Sequence, residues 1–166
     1  KGKHKIGDEV AIKIFKRDEL RAFNEIVILL AKKLKSDRYV VMLKYYQEGF
    51  NAAGEHALVL EKGGVNMKEF SATDICYSDG SVNIAEVTKR AKEMASALCF
   101  LHNKRYIHGD FKLENFVEFK RITKLIDFDS TVKIGTPITY PAKFTPIYCP
   151  PELARFHLSK GREKLF

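Results

Sequence analysis

The stretch Tyr106–Phe116, YIHGDFKLENF, sets an Asp (Asp110), a Lys two residues on (Lys112) and an Asn five residues on (Asn115) between apolar flanks. The frame of Tyr106, Ile107, Phe116 and Val117 would bury both ends of such a loop. The spacing of five lets one tight loop present Asp110 and Asn115 to a single cleft. A carboxylate and an amide oxygen are hard donors of the kind Mg²⁺ prefers. Two further positions fit the same chemistry. Lys13 stands inside the apolar run Glu9–Phe15, where an ammonium is costly unless it meets an anion. Asp127 follows Asn115 by 12 residues, long enough for a hairpin that returns to the same cleft. The plainer alternatives are a polar surface turn and a lysine snorkelling from a strand edge.

Elements that would position these groups can be read on either side of them. Glu9–Phe15 reads as a buried strand, with Ala11, Lys13 and Phe15 on one face and Val10, Ile12 and Ile14 on the other. A helix is predicted from an N-cap at Asp18 to about Lys33, with Leu20, Phe23, Ile26, Val27 and Leu30 at helical spacing and Glu25 among them. Tyr39–Gln47 and His56–Glu61 read as strands joined through a turn over 49–54, and Glu61–Gly64 breaks the pattern as a hinge would. Asn66–Phe70 fits a short helix and 71–83 a loop. The longest helix is predicted over Ile84–Asn103, its core stripe being Ile84, Val87, Ala91, Met94, Ala95, Leu98 and Leu101. Ile122–Ile126 is a short strand, and 130–151 is polar and Pro-rich.

Taken together, Val10-Ala11-Ile12-Lys13, His108-Gly109-Asp110-Phe111-Lys112 with Asn115, Ile126-Asp127-Phe128-Asp129 and Thr145-Pro146-Ile147-Tyr148-Cys149-Pro150-Pro151-Glu152 resemble the motifs of the protein kinase family. The resemblance implies an α+β, two-lobed kinase-like fold: an N-lobe sheet with its helix over 1–62, then a hinge and the start of a mainly helical C-lobe over 63–166. It implies ATP and Mg²⁺ as cofactors and a Ser or Thr hydroxyl of a protein substrate as acceptor. Asp110 would accept the hydroxyl's hydrogen bond, Lys112 would sit on the transferred phosphate, and Asn115 and Asp127 would hold the metal. Thr145 would bond Asp110 and Lys112. Lys13, oriented by Glu25, would meet the phosphates, and Ala11, Leu60, Glu61 and Val117 would line the nucleotide. Leu29, Leu43, His108 and Phe128 match the family's internal stack, which makes His108 a packed residue and not a base.

The chain departs from the family in places. D-F-G has become Asp127-Phe128-Asp129, so the segment is expected to switch less freely, since Gly tolerates backbone conformations Asp resists. Gly109 stands where most members have Arg, which makes control by loop phosphorylation doubtful, although Thr136, Thr139 and Tyr140 remain acceptors. No glycine-rich loop precedes Val10, and the family's later helices would lie past Phe166. The sequence is therefore expected to be a piece of a kinase domain, poorly stable alone, with apolar surface exposed. Two other function classes stay open: a pseudokinase or interaction module, and a kinase-fold phosphotransferase acting on small molecules.

Composition narrows the partners. The net charge of +8 favours anions such as nucleotide phosphates or acidic peptides, but the basic residues are scattered, which argues against nucleic acid. Cys76, Cys99 and Cys149 have neither metal-ligand spacing nor the even count of a disulfide framework, so reduced thiols are expected. No apolar run is long enough for a membrane span and no signal peptide is visible, so a cytoplasmic location is expected. The chain begins without Met, so Lys1 need not be the natural N-terminus. The sequence carries no signal of an oligomeric state.

Overall fold

A computed structural model describes residues 9–73, 75–77, 79–138 and 144–162. The first lobe is a three-stranded antiparallel sheet in the order β1–β3–β2, with β1 at Val10–Phe15, β2 at Leu43–Gln47 and β3 at His56–Glu61. Register pairs Ala11 with Leu60, Lys13 with Leu58 and Phe15 with His56. Opposed residues share a face, so Ala11, Lys13, Leu58 and Leu60 all look the same way. Phe15 closes that face against Phe23, ring centroids 5.7 Å apart and edge-on.

The reading of β1 as a buried strand needs correction. It is an edge strand, and its Val10, Ile12 and Ile14 face is open to solvent, with Ile12 59% exposed. No other described element covers that face, so only the Lys13 side of the pleat is enclosed.

Helix α1 spans Leu20–Ile28, entered through a 3-10 turn at Arg17–Glu19 and continued by a π turn at Leu29–Lys33. The Glu19 side chain accepts the Lys16 N–H at 2.8 Å and so satisfies a free donor at the start. Phe23, Ile26, Val27, Leu29 and Leu30 are buried against the sheet, each stabilising the fold by about 1.5–3 kcal/mol.

The second lobe comprises α2 (Met67–Thr73), α3 (Ile84–Asn103), β4 (Tyr106–Ile107), β5 (Phe116–Phe119), β6 (Ile122–Leu125), β7 (Val132–Lys133) and α4 (Pro151–Leu158). β5 and β6 form a hairpin whose turn residues Lys120 and Arg121 both have positive φ, at 50° and 69°. That backbone matches the twist of the flanking strands. β4 pairs with β7, which ties the chain just before Asp110 to the chain just after Asp129. Asn83 caps α3 by accepting the Glu86 N–H.

The bounds of α3 agree with the sequence reading, and Val87, Met94, Leu98 and Leu101 of the predicted stripe are buried or half-buried, but the buried face extends to a side that the stripe left out. Arg90, Ala97 and Leu101 are buried, whereas Ile84, Ala91 and Ala95 are exposed. The cause is Arg90. Its guanidinium bonds Glu86 Oε1 at 2.7 Å, Thr123 Oγ1 at 3.2 Å and Glu118, and lies 4.5 Å over the Phe70 ring. A charge so fully partnered can sit inside, and the sequence pattern gave no weight to a buried Arg.

Two links sew the lobes together. The backbone of 39–42 runs beside β6, with Val41 N–H donating to Leu125 O at 3.0 Å and Leu125 N–H to Tyr39 O at 2.9 Å. Glu61 then joins both sides: its Oε1 accepts Lys124 Nζ at 2.6 Å and the Met42 N–H at 2.8 Å. The hinge glycine Gly63 is required by closeness, because a Cβ there would lie 2.4 Å from Val117 Cγ1. Among the described residues no helix is long and apolar enough to cross a membrane. Thr139 and Tyr140 lie outside the described residues, and Thr136 is exposed. The three cysteines are free thiols.

Candidate active site

The loop after β4 is held from below by His108. This ring is buried, donates from Nε2 to Ile126 O at 2.8 Å, and meets Phe128 edge-on at 5.5 Å. Burial pushes its pKa below the usual value, so it is a neutral packing group. Gly109 follows with φ +82°, and a Cβ there would stand 2.2 Å from Ser130 O. The loop and the Asp127–Ser130 segment therefore press backbone to backbone at this glycine. That contact gives a physical reason for Gly where the resemblance expects Arg.

Asp110, Lys112, Asn115 and Thr145 form one hydrogen-bonded cluster. Asp110 Oδ2 lies 2.7 Å from Lys112 Nζ, and Oδ1 accepts the Thr145 N–H at 3.0 Å. Lys112 Nζ also donates to Thr145 Oγ1 at 2.8 Å. Asn115 Nδ2 donates to Asp110 O at 2.8 Å, which leaves its amide oxygen as an acceptor. Partial burial raises the Asp110 pKa, but the hydrogen bonds from Lys112 and Thr145 outweigh it and hold the carboxyl below its ordinary value. The hydrogen bond to Asp110 in turn keeps the Lys112 ammonium above its own.

The second half of the site is a cavity of about 330 Å³ between the lobes. Lys13, Leu58, Leu60, Asn115, Asp127, Phe128 and Asp129 line it, along with Ile26 of α1, Leu30 of the π turn and Val41. Asn115 thus belongs to both halves. Lys13 Nζ donates to Asp127 Oδ1 at 2.9 Å and to Asp129 Oδ1 at 2.5 Å. Burial lowers the Lys13 pKa, and the two carboxylates more than reverse this, so the net direction is upward. Asp127 sits at φ +59°, a bend that lets it and Asp129 face Lys13 together.

Of the other residues singled out in the sequence, Leu60 lines this cavity. Ala11 shares the Lys13 face but is exposed at the strand's outer end, and Val117 is half-buried beside Gly63. The Glu61 carboxylate is directed to Lys124 and Met42, away from the cleft.

Glu25 does not meet Lys13. It is 65% exposed and pairs with Arg21 Nε at 3.0 Å. At about 100° per residue it falls nearly opposite the buried stripe of Phe23, Ile26, Val27 and Leu30, not beside it. An exposed pair of this kind contributes only about 0.3–0.5 kcal/mol, so nothing strong holds Glu25 outward. The partner of Lys13 that sequence reasoning missed is Asp129. The only signal in the sequence was a second Asp two residues after Asp127, and it is the left-handed backbone at Asp127 that turns both acids to Lys13.

Asn115 and Asp127 bring oxygen donors to this cavity, and such donors suit a hard divalent cation that keeps several waters, which is the habit of Mg²⁺. Among the described residues no group of three or more His, Cys, Asp or Glu is placed to hold a metal ion.

Comparison with known proteins bears on this arrangement. A family model described as "Protein kinase domain" matches residues 1–163. The chain is 28% identical over 164 residues to serine/threonine-protein kinase TIO of Arabidopsis thaliana, covering 93% of this chain and 12% of that protein. It is 32% identical over 116 residues to mitogen-activated protein kinase kinase kinase 8 of Rattus norvegicus, covering 68% of this chain and 22% of that one. It is 47% identical over 73 residues to MAP kinase-interacting serine/threonine-protein kinase 1 of Xenopus tropicalis, covering 39% and 18% respectively. The chain therefore spans 12–22% of the length of these relatives.

Proposed function

Because the chain belongs to the protein kinase domain family, we propose that it transfers the γ-phosphoryl group of ATP to a Ser or Thr hydroxyl of a protein substrate. The observation that carries this reading is the sharing of Asn115 between the Asp110–Lys112–Thr145 cluster and the Lys13–Asp127 cavity. One set of side chains then reaches both the acceptor hydroxyl and the nucleotide phosphates.

Asp110 is the group that accepts the hydrogen bond of the incoming hydroxyl and aims its oxygen. Its depressed pKa keeps it an acceptor throughout the neutral range. Lys112, held between Asp110 and Thr145, places a positive charge on the side of the acceptor. Lys13 supplies a second positive charge from the opposite lobe. Mg²⁺, when bound, neutralises charge on the phosphates, and Asn115 and Asp127 are the residues that would hold it. Ala11, Leu60 and Val117 offer apolar contact for the base, with the Glu61 backbone at its edge. Positioning and charge neutralisation are the main demands of this chemistry, and no covalent intermediate on the protein is needed.

A non-catalytic role for the domain is favoured by one observation: the Lys13 ammonium is already held by two carboxylates. The cytoplasm would suit either reading, since it supplies Mg²⁺-ATP and keeps the three thiols reduced. The test is transfer of label from γ-labelled ATP to a panel of Ser- and Thr-containing proteins, beside small-molecule acceptors. Mg²⁺-dependent label on protein, lost in Asp110→Asn while ATP still binds, supports the kinase reading. Turnover unchanged in Asp110→Asn would remove Asp110 from the role given to it.

A further inference from the structure

Asp129 has no part in the chemistry above, yet it makes the shorter of the two contacts to Lys13, at 2.5 Å against 2.9 Å for Asp127. It is also the less exposed of the two acids, at 29% against 40%. An ammonium has three N–H donors and no acceptor. Two of the donors point at these carboxylates, which leaves one for an incoming oxyanion. The two acids are not equivalent. Asp127 is one of the oxygen donors assigned to the metal, and a carboxylate engaged by a cation holds an ammonium less well. Asp129 is then the acid that remains on Lys13. Glu25, across the cleft, lies on the solvent side of α1 with Arg21.

The segment that carries Asp129 is fixed on both sides. Phe128 before it is buried and edge-on to His108, and Ser130 after it touches the backbone at Gly109. A short side chain on such a segment has few alternative positions and little to lose in ordering. By contrast, a glutamate on an exposed helix face would have to leave solvent and reorder.

We propose that Asp129 is the residue that positions Lys13 on the nucleotide phosphates, the place that resemblance gives to Glu25; this rests on the kinase reading of the site. Asp129 acts through Lys13 and does not itself touch the nucleotide.

The test is calorimetric binding of ATP with Mg²⁺ to the whole chain and to Asp129→Asn, Asp129→Glu, Glu25→Gln, Lys13→Met and the Lys13→Met/Asp129→Asn double variant. The expected result is a roughly 10-fold weaker Kd for Asp129→Asn, the scale of one charge-assisted hydrogen bond, and a smaller loss for Glu25→Gln. Asp129→Glu should recover part of the affinity. In the Lys13→Met background the Asp129→Asn change should add less than about twofold, because a residue acting through Lys13 has nothing left to act on. A metal-holding or purely structural role would add in full. Tighter or unchanged binding in Asp129→Asn, a full additive loss, or a larger loss in Glu25→Gln would overturn the proposal. If the wild-type chain takes up no ATP, the kinase reading fails by itself. The pairing is then decided by urea unfolding of the same variants: coupling of Lys13 with Asp129 and none with Glu25 upholds the pairing, and additivity of Lys13 with Asp129 ends it.

Discussion

Replacing Gly109 with Ala should destabilise the protein and disorder both halves of the site at once. Two effects add. At φ +82° an L-residue costs about 1–2 kcal/mol that glycine avoids. The new methyl would also stand 2.2 Å from Ser130 O, a backbone atom that cannot rotate away. Overpacking of this kind typically costs about 1–3 kcal/mol. The sum of about 2–5 kcal/mol is a large share of the 5–15 kcal/mol typical of folded domains. A loss of about 3 kcal/mol corresponds to a fall in Tm of roughly 6–12 °C for a chain of this size. Gly135→Ala is the control. Gly135 also has positive φ, +88°, but nothing lies within 4 Å of its would-be Cβ, so only the backbone cost applies. Urea unfolding followed by circular dichroism measures both variants, and ATP binding reads the site. Gly109→Ala should lose at least about 1 kcal/mol more than Gly135→Ala and should bind ATP more weakly. Equal losses in the two variants would refute the close approach of the Gly109 backbone to Ser130.

Lys124→Met should cost about 3 kcal/mol in chemical unfolding, since Lys124 is 5% exposed and its loss leaves the largely buried Glu61 carboxylate without its ion partner. Glu61→Gln should cost less, because an amide oxygen can still accept the Met42 N–H. Thr145→Ala should slow phosphoryl transfer roughly 10- to 100-fold in a steady-state assay, as Lys112 loses the hydroxyl that steers it while the backbone bond to Asp110 stays. The Asp110 pKa is depressed in the folded state, so its stabilisation is fully present above the ordinary value of 3.8 and is lost as pH falls through the lower folded value. In a series of unfolding curves across acid pH, Asp110→Asn should flatten that part of the profile; an unchanged slope would contradict the depressed pKa.

Elements governed by local pattern were legible in the chain. β3 and α3 have the bounds that alternation and helical spacing predicted, and the turn glycines stood where the chain reverses. The loop carrying Asp110, Lys112 and Asn115 could be singled out because three polar groups between apolar flanks leave few other uses. What the pattern missed depended on long-range partners. The exposed outer face of β1 follows from its place at the sheet edge, which alternation alone does not reveal. Arg90 lies inside because Glu86, Glu118, Thr123 and the Phe70 ring converge on it from separate elements. Glu25 is close to the apolar stripe in sequence, but helical geometry sets it on the other side. Asp129 departs from the resembled motif, and its contact with Lys13 joins residues 116 positions apart.

Phosphoryl transfer by this chain requires Lys13, Asp110, Asn115 and Asp127 to surround one site for a metal-bound nucleotide. The most direct measurement adds ATP with paramagnetic Mn²⁺ in place of Mg²⁺ to the isotopically labelled chain and follows its amide signals. Simultaneous loss of the signals from Asp110, Asn115, Asp127 and the Lys13 strand, dependent on ATP, is the predicted result. Broadening confined to unrelated surface acids, or a response of Asp127 without Asp110 and Asn115, would contradict it.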